Sequence, residues 1–296
     1  MQDVPDAALV AWRKSADSHV RALAATVTQA RAAYADAMST GSRIFISTSV
    51  GNDYFPVLTL IGPDFDASQA PDVHTAYHGF GSVVADRYTD AGRMQLRMRD
   101  VQSAHPQVVF VLPECRNATP MSAPDTPWYQ TDWSNAKDEV VTTTSALTAA
   151  GLSVPATRTV SFFSGGGRAF DYLQRAHPDG SALAADRLEL IDCLYDDWTE
   201  RIVAYASTAN GLAVSRVRFI HGTNDLSRVA IVQKAFAPKF ELVDVQLTGV
   251  QRNSDAQRPD GSPFRDSRGK PLAKFSDFTN YHLRARAEFL DSSRHP

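Results

Sequence analysis

Arg158-Thr-Val-Ser-Phe-Phe-Ser-Gly-Gly-Gly-Arg-Ala-Phe-Asp-Tyr-Leu-Gln-Arg-Ala176 is the stretch on which the reading of the chain turns. An apolar, β-prone run ends at Ser164, three glycines follow, and a helical pattern starts at once, with Phe170, Leu173 and Ala176 three apart. Strand, serine, glycines, helix is the order in which a chain makes a sharp strand-to-helix turn that lifts a hydroxyl above a sheet. Glycine suits such a turn because a Cβ would clash where the backbone is tight, and because backbone N–H groups must point into the site. The same turn could cradle a phosphate at a helix N-terminus. The dinucleotide pattern G-x-G-x-x-G after a first strand is not met, since its last glycine is absent and the turn comes about the sixth strand.

Outward from this turn, strands and helices alternate. Toward the N-terminus, Gln107–Leu112 is a continuous apolar run suited to a buried parallel strand. Asp72–Tyr77 is a short strand running into His78-Gly-Phe-Gly-Ser82, and a helical segment covers roughly Val83 to Ser103. Arg43–Val50 and Phe55–Ile61 are β-like runs split by Gly51-Asn52-Asp53. Ser134 is placed to cap a helix reaching Ala150. Toward the C-terminus come strands at Leu188–Leu194, Arg216–Ile220 and Phe240–Leu247, with helices near Trp198–Ala209 and Ser227–Phe236. Phe278 to Ser292 is the last helix. The alternation from residue 72 onward predicts an α/β protein with a mostly parallel sheet and helices on both faces.

Two segments stand outside this alternation. From Asp6 to Met38, apolar residues recur at steps of three and four (Leu9, Trp12, Ala16, Val20, Leu23, Val27), which predicts one long helix ended by Gly41. Its single apolar stripe is expected to pack on the main body; the alternative use is a homo-oligomer contact with a second copy. Gly249 to Ser276 is polar, rich in Gly, Pro, Asp and Arg, and too long for a plain connection, which predicts an active-site loop. The expected organisation is a helical extension over 1–40 and one domain over 41–296.

Composition narrows the function classes. At 296 residues, with 43% hydrophobic and 21% charged residues, the chain has the make-up of a globular protein with ample core material. A net charge of −3 offers no basic surface for nucleic acid or an acidic membrane, and no apolar run approaches a membrane span of ~20 residues. Met1 to Asp6 is polar and no apolar leader follows, so a cytoplasmic location is the default, although a mature exported chain given a new Met would look the same. Cys115 and Cys193 are too few for a disulfide scaffold or a zinc site and are read as free thiols.

In parallel sheets, function gathers at the carboxyl ends of the strands. Past the strand at 72–77 lies His78-Gly-Phe-Gly. Past the strand at 159–163 lies Ser164, past that at 216–220 lies His221-Gly-Thr-Asn-Asp225, and His282 opens the final helix in Asn-Tyr-His-Leu-Arg. The order Ser, Asp, His, together with these four elements, resembles the α/β-hydrolase superfamily over roughly residues 43 to 292. The resemblance implies an α/β-hydrolase fold and a serine hydrolase, cleaving an ester or less readily an amide, without metal or organic cofactor. Ser164 would be the nucleophile and His282 the base, with the N–H groups of Gly165 and Phe80 binding the oxyanion. Asp225 holds the usual place of the acid; Asp192, Asp196 and Asp197 lie past the preceding strand, where some hydrolases carry theirs. In that strand order the two cysteines lie about three strands, ~14 Å, apart, beyond disulfide reach.

One position departs from the pattern. The G-x-S-x-G turn has a small residue two before the serine, and here that residue is Phe162. Either the sheet is locally splayed or the turn is built divergently; a non-catalytic binding or scaffold protein that keeps the fold is the competing class.

The remaining residues near these strand ends have milder readings. His78 and Gly79 would border the substrate, with His78 ordering the loop beside the oxyanion hole and His74 its neighbour on the strand; ~13 Å apart on an extended strand, the two histidines are too far apart to share an ion. His221 is read as structural. Trp128, Tyr129 and Trp133 either line an acyl or sugar pocket or pin a long loop. Glu114 and Arg116 either meet a polar substrate or pair with each other. The polar 249–276 segment and the lack of an apolar lid point to a small or polar acyl substrate.

Overall fold

Valine, isoleucine and phenylalanine in short runs, each followed by a helical pattern, build one sheet of eight strands. The computed structural model describes residues 6–79, 93–116, 132–195, 197–222 and 224–244. The strands are β1 (Arg43–Thr48), β2 (Pro56–Ile61), β3 (Asp72–Tyr77), β4 (Val108–Pro113), β5 (Thr157–Phe163), β6 (Arg187–Ile191), β7 (Arg216–His221) and β8 (Phe240–Asp244). Their spatial order is β1-β2-β4-β3-β5-β6-β7-β8. β2 runs antiparallel to both β1 and β4, and every other pairing is parallel. This mixed, mostly parallel sheet flanked by helices is the α/β-hydrolase fold, with the serine strand β5 near its middle.

The period of two in each strand divides the core between the faces. Tyr77, Phe162, Leu190 and Phe219 point to one face, where α6 (Gly167–Ala176), α7 (Trp198–Tyr205) and α9 (Leu226–Phe236) supply Phe170, Leu173, Ile202, Tyr205 and Val232. Their neighbours Ala76, Phe163, Ile191 and Ile220 point to the other, against Ala30 of α2 (Ser18–Ala33), Tyr34 just after it, and Met98 and Val101 of α4 (Arg93–Ala104). α5 (Glu139–Ala149) covers the β1–β2–β4 end through Ala146 and Leu147.

The long N-terminal helix is not formed. Its stretch folds as α1 (Asp6–Arg13), α2 and α3 (Ala35–Ser39), with a turn at Lys14–Asp17. At that turn the Ser15 hydroxyl accepts the Asp17 N–H, and the Arg21 guanidinium donates to the carbonyls of Ser15 and Ala16. A serine that offers its side chain to nearby backbone competes with helix continuation. Folding back also lets Leu9 bury against Ala24 and Val27, with Trp12, Leu23 and Ile46 around them, and Arg31 pairs with Asp6 at 2.7 Å. A straight helix would leave that contact unmade.

Smaller departures have equally local causes. Asp138, rather than Ser134, caps α5, accepting the Val141 N–H at 2.9 Å. β6 stops at Ile191 because Asp192 takes a left-handed backbone (φ 43°), and the helix expected over 198–209 divides into α7 and a short α8 (Ala209–Ala213). The segments 249–276 and 278–292 lie outside the described residues.

Candidate active site

Ser164 stands at the carboxyl end of β5 with φ +52°, a left-handed conformation that costs a non-glycine residue ~1–2 kcal/mol. It is buried, and it opens a single 3-10 turn, Ser164–Gly166, that runs directly into α6. No side chain caps the first amides of that turn. Free amides at the start of a helix are placed to meet developing negative charge. Gly165, buried within the turn, belongs to this set.

Glycine spacing explains how the turn fits. A Cβ on Gly166 would lie 2.4 Å from the Tyr77 carbonyl oxygen, and one on Gly167 2.5 Å from that of Cys193. The start of α6 is thus pressed against the ends of β3 and β6, where any side chain would collide with backbone. Gly79 approaches from the other direction: a Cβ there would lie 2.9 Å from Ser164 Cβ and 3.1 Å from a Phe163 ring carbon. The His78-Gly79 segment therefore lies in van der Waals contact with the serine.

Phe162 does not splay the sheet. The ladder runs unbroken through it, with Phe162 opposite Tyr77 on one side and Leu190 on the other. Its ring stacks on Tyr77 (centroids 5.0 Å apart, 9° between planes) and meets Phe170 edge-on at 5.1 Å. The close approach that a small residue before the serine would permit is taken up by Gly166 and Gly167 after it. Phe162→Gly, which restores the usual pattern, is accordingly expected to destabilise the protein by ~3–5 kcal/mol by emptying this aromatic slot. A chemical denaturation midpoint unchanged by the substitution would contradict that account.

His78 is fully buried and held at both nitrogens. Nδ1 lies 3.0 Å from the Gly79 carbonyl oxygen and Nε2 lies 2.9 Å from Glu114 Oε1. The same Glu114 oxygen accepts the Cys115 N–H at 3.0 Å. The Glu114 carbonyl in turn accepts from the side-chain amides of Asn52 and Asn135. Trp133, buried, packs its ring on His78 at 4.7 Å and edge-on to Tyr77 at 5.3 Å. Burial would push the imidazole pKa down, but the Cys115 thiol and the Glu114 carboxylate outweigh it and carry His78 up to about 10. Glu114, read from sequence as a substrate contact or a partner of Arg116, is the ion-pair partner of His78.

His78, Glu114 and Cys115 are also the group, among the described residues, whose donor atoms converge tightly enough to hold a metal ion, within 4.8 Å of one another. Direct hydrogen bonding of Nε2 to Oε1 already satisfies both atoms.

The two aspartates occupy contrasting positions. Asp192 is fully buried, and its Oδ1 accepts the N–H groups of Gly222 (3.1 Å) and Asn224 (2.9 Å). Asn224 spans back to the Leu194 N–H, and its carbonyl meets His221 Nε2 at 2.8 Å, so His221 serves the loop's structure. Asp225 follows that loop, exposed, and caps α9 by accepting the Ser227 N–H at 2.8 Å. Hydrogen bonds from the Ser227 amide and hydroxyl hold its carboxyl below the usual range. Asp192 therefore shapes the loop that presents Asp225.

Several expected site residues are not placed. His282, Phe80, Asp196, Trp128 and Tyr129 lie outside the described residues. Cys115 and Cys193 are both buried and not joined in a disulfide, and burial, foremost, pushes the Cys193 thiol up. Sequence reasoning missed the His78–Glu114 pair; its available signal was an acidic residue directly after the strand that neighbours β3.

Neither a family model nor a curated protein matches this chain. Solved structures resemble it at low identity. A dienelactone hydrolase-like promiscuous phosphotriesterase from metagenomic libraries is 12% identical, with a TM-score of 0.47, over 85% of this chain and 97% of that one. A ferulic acid esterase from Anaeromyces mucronatus is 14% identical, with a TM-score of 0.42, over 69% of this chain and 82% of that one. A hormone-sensitive lipase from a metagenome library is 12% identical, with a TM-score of 0.40, over 80% and 85%.

Proposed function

We propose that the chain is a serine hydrolase that cleaves esters through an acyl-enzyme. The observation that carries this reading is the left-handed Ser164 at the end of the central strand, with the Gly79 backbone packed against it. Backbone strain at a polar residue on a strand end is a feature of functional sites, and it persists here because Gly166 and Gly167 fix the turn. In the proposed reaction Ser164 Oγ attacks the carbonyl carbon while His282 takes its proton. The tetrahedral oxyanion is met by the N–H groups of Gly165 and Phe80. His282 then delivers its proton to the leaving alcohol, and water, activated the same way, releases the acid. Asp225 holds the imidazole in one tautomer; its capping bond to Ser227 leaves lone pairs on the carboxylate for that contact.

His78 and Gly79 border the acyl group beside the serine, with Trp128 and Tyr129 proposed to line the pocket further out. The polar composition of 249–276 favours a small or polar acyl substrate. Among the described residues no helix is long and apolar enough to cross a membrane.

A fluorophosphonate probe tests the reading. Labelling of the folded wild type that disappears in Ser164→Ala is the expected result. No labelling of the folded wild type would favour the other reading, a binding protein that keeps the fold without the chemistry.

A further inference from the structure

We infer that His78, Glu114 and Cys115 form a binding site for a zinc ion, held by an imidazole nitrogen, a carboxylate oxygen and a thiolate at the carboxyl ends of β3 and β4. The inference goes beyond the acyl-transfer reading and does not need it, since no step of the proposed reaction uses Glu114 or Cys115.

Topology brings the donors together. β3 and β4 are parallel neighbours, so His78, the first residue past β3, lies beside Glu114 and Cys115, the first two past β4. One ligand atom from each residue lies within 4.8 Å of the other two, and all three residues are buried. Around a tetrahedral zinc, with bonds of ~2.0 Å to nitrogen and oxygen and ~2.3 Å to sulfur, ligand atoms stand ~3.3–3.6 Å apart. The 2.9 Å between His78 Nε2 and Glu114 Oε1 has only to open by ~0.4 Å to reach that spacing.

Two of the ligands are already braced from outside. The Gly79 carbonyl can only accept, so His78 Nδ1 donates to it at 3.0 Å. A metal-binding histidine characteristically gives its other ring N–H to a carbonyl or carboxylate, which fixes the tautomer and turns the remaining nitrogen toward the ion. Glu114 Oε1 likewise accepts the Cys115 N–H at 3.0 Å. The hydrogen bond between Nε2 and Oε1 satisfies both atoms in the metal-free chain, and the ion takes the place of its proton.

Charge and softness select the ion. Without metal, an imidazolium, a carboxylate and a thiol sum to zero. Zinc displaces the Nε2 proton and the thiol proton into solvent, leaving a neutral imidazole, a carboxylate and a thiolate around a doubly charged cation, again zero. Neither state buries an unpaired charge. A thiolate and an imidazole select against magnesium and calcium, which take oxygen ligands, and favour zinc. Three protein ligands leave one tetrahedral position for water. The usual sequence signal, cysteines in close pairs, is missing because the ligands come from two strands.

The full chain, stripped with a chelator and titrated with Zn²⁺ or Co²⁺ alone, tests the site. The expected result is one ion per chain, with a thiolate-to-cobalt charge-transfer band that excess Zn²⁺ abolishes. The band is expected to vanish in Cys115→Ser and to persist in Cys193→Ser. Glu114→Gln is expected to weaken Zn²⁺ binding by at least roughly 100-fold, beyond the loss typical of a residue that only braces a ligand. X-ray absorption on the zinc-loaded wild type reads the same ligands without any variant: a single sulfur at ~2.3 Å with nitrogen and oxygen at ~2.0 Å. Failure of the folded wild type to bind Zn²⁺, a cobalt complex without the thiolate band, or a zinc shell without sulfur would overturn the inference. So would a band that survives Cys115→Ser. None of these results bears on fluorophosphonate labelling of Ser164, so the acyl-transfer reading stands or falls separately.

Discussion

Ser164→Ala is expected to lower kcat for an activated ester by ~10⁶-fold while the protein stays folded. The size follows from what the serine does: without Oγ no acyl-enzyme forms, and the base has nothing to activate but water. A residual acceleration of ~10³–10⁴ over the uncatalysed reaction is expected from the oxyanion donors and from binding alone. The substitution also removes little packing, since only Oγ is lost and the Cβ beside Gly79 stays in place. Its left-handed φ is no more favourable for alanine than for serine, so stability should change little. Steady-state kinetics and a thermal unfolding midpoint read the two effects separately. A loss of activity that only follows a loss of fold would not support a nucleophile.

The second large effect distinguishes two aspartates on neighbouring loops. Asp225→Asn is expected to reduce kcat by ~10⁴-fold, the cost of presenting the base in the wrong tautomer. Asp192→Asn is expected to cost far less activity and to act mainly through stability. Its carboxylate faces the amides of Gly222 and Asn224 from a fully buried site, and an asparagine can keep one acceptor oxygen there. The loss of one charge-assisted acceptor is worth ~1–3 kcal/mol. Comparable losses of kcat in the two variants, or a larger one for Asp192→Asn, would move the acid role to the loop after β6.

How far the sequence could be read depends on the range of the interactions involved. The strands were legible because each is a short apolar run closed by a polar or glycine signal; Asp72–Tyr77 is found with the bounds its sequence suggests. The turn at Ser164 was legible because three consecutive glycines have few other uses. The break at Ser15 was not, because the apolar spacing runs across it without interruption. Only the folding back of Leu9 onto Ala24 and Val27 favours the turn.

Phe162 shows the same limit from the other side. A local pattern demands a small residue there, but the demand is really for space between β5 and α6, and Gly166 and Gly167 supply it. The His78–Glu114 pair was hidden for a similar reason. The two residues are 36 positions apart and meet because β3 and β4 are neighbours in the sheet, a fact of topology. Glu114 alone, after a buried strand, has no local feature that names its partner.

The central claim is that Ser164 carries the acyl group between the two halves of the reaction. The most direct measurement is peptide mass mapping of wild-type protein acid-quenched during turnover of p-nitrophenyl acetate. The account predicts an acetyl group on the peptide that bears Ser164, absent when Ser164→Ala is treated in the same way. Acetylation at another residue that tracks turnover, with the Ser164 peptide unmodified, would contradict it.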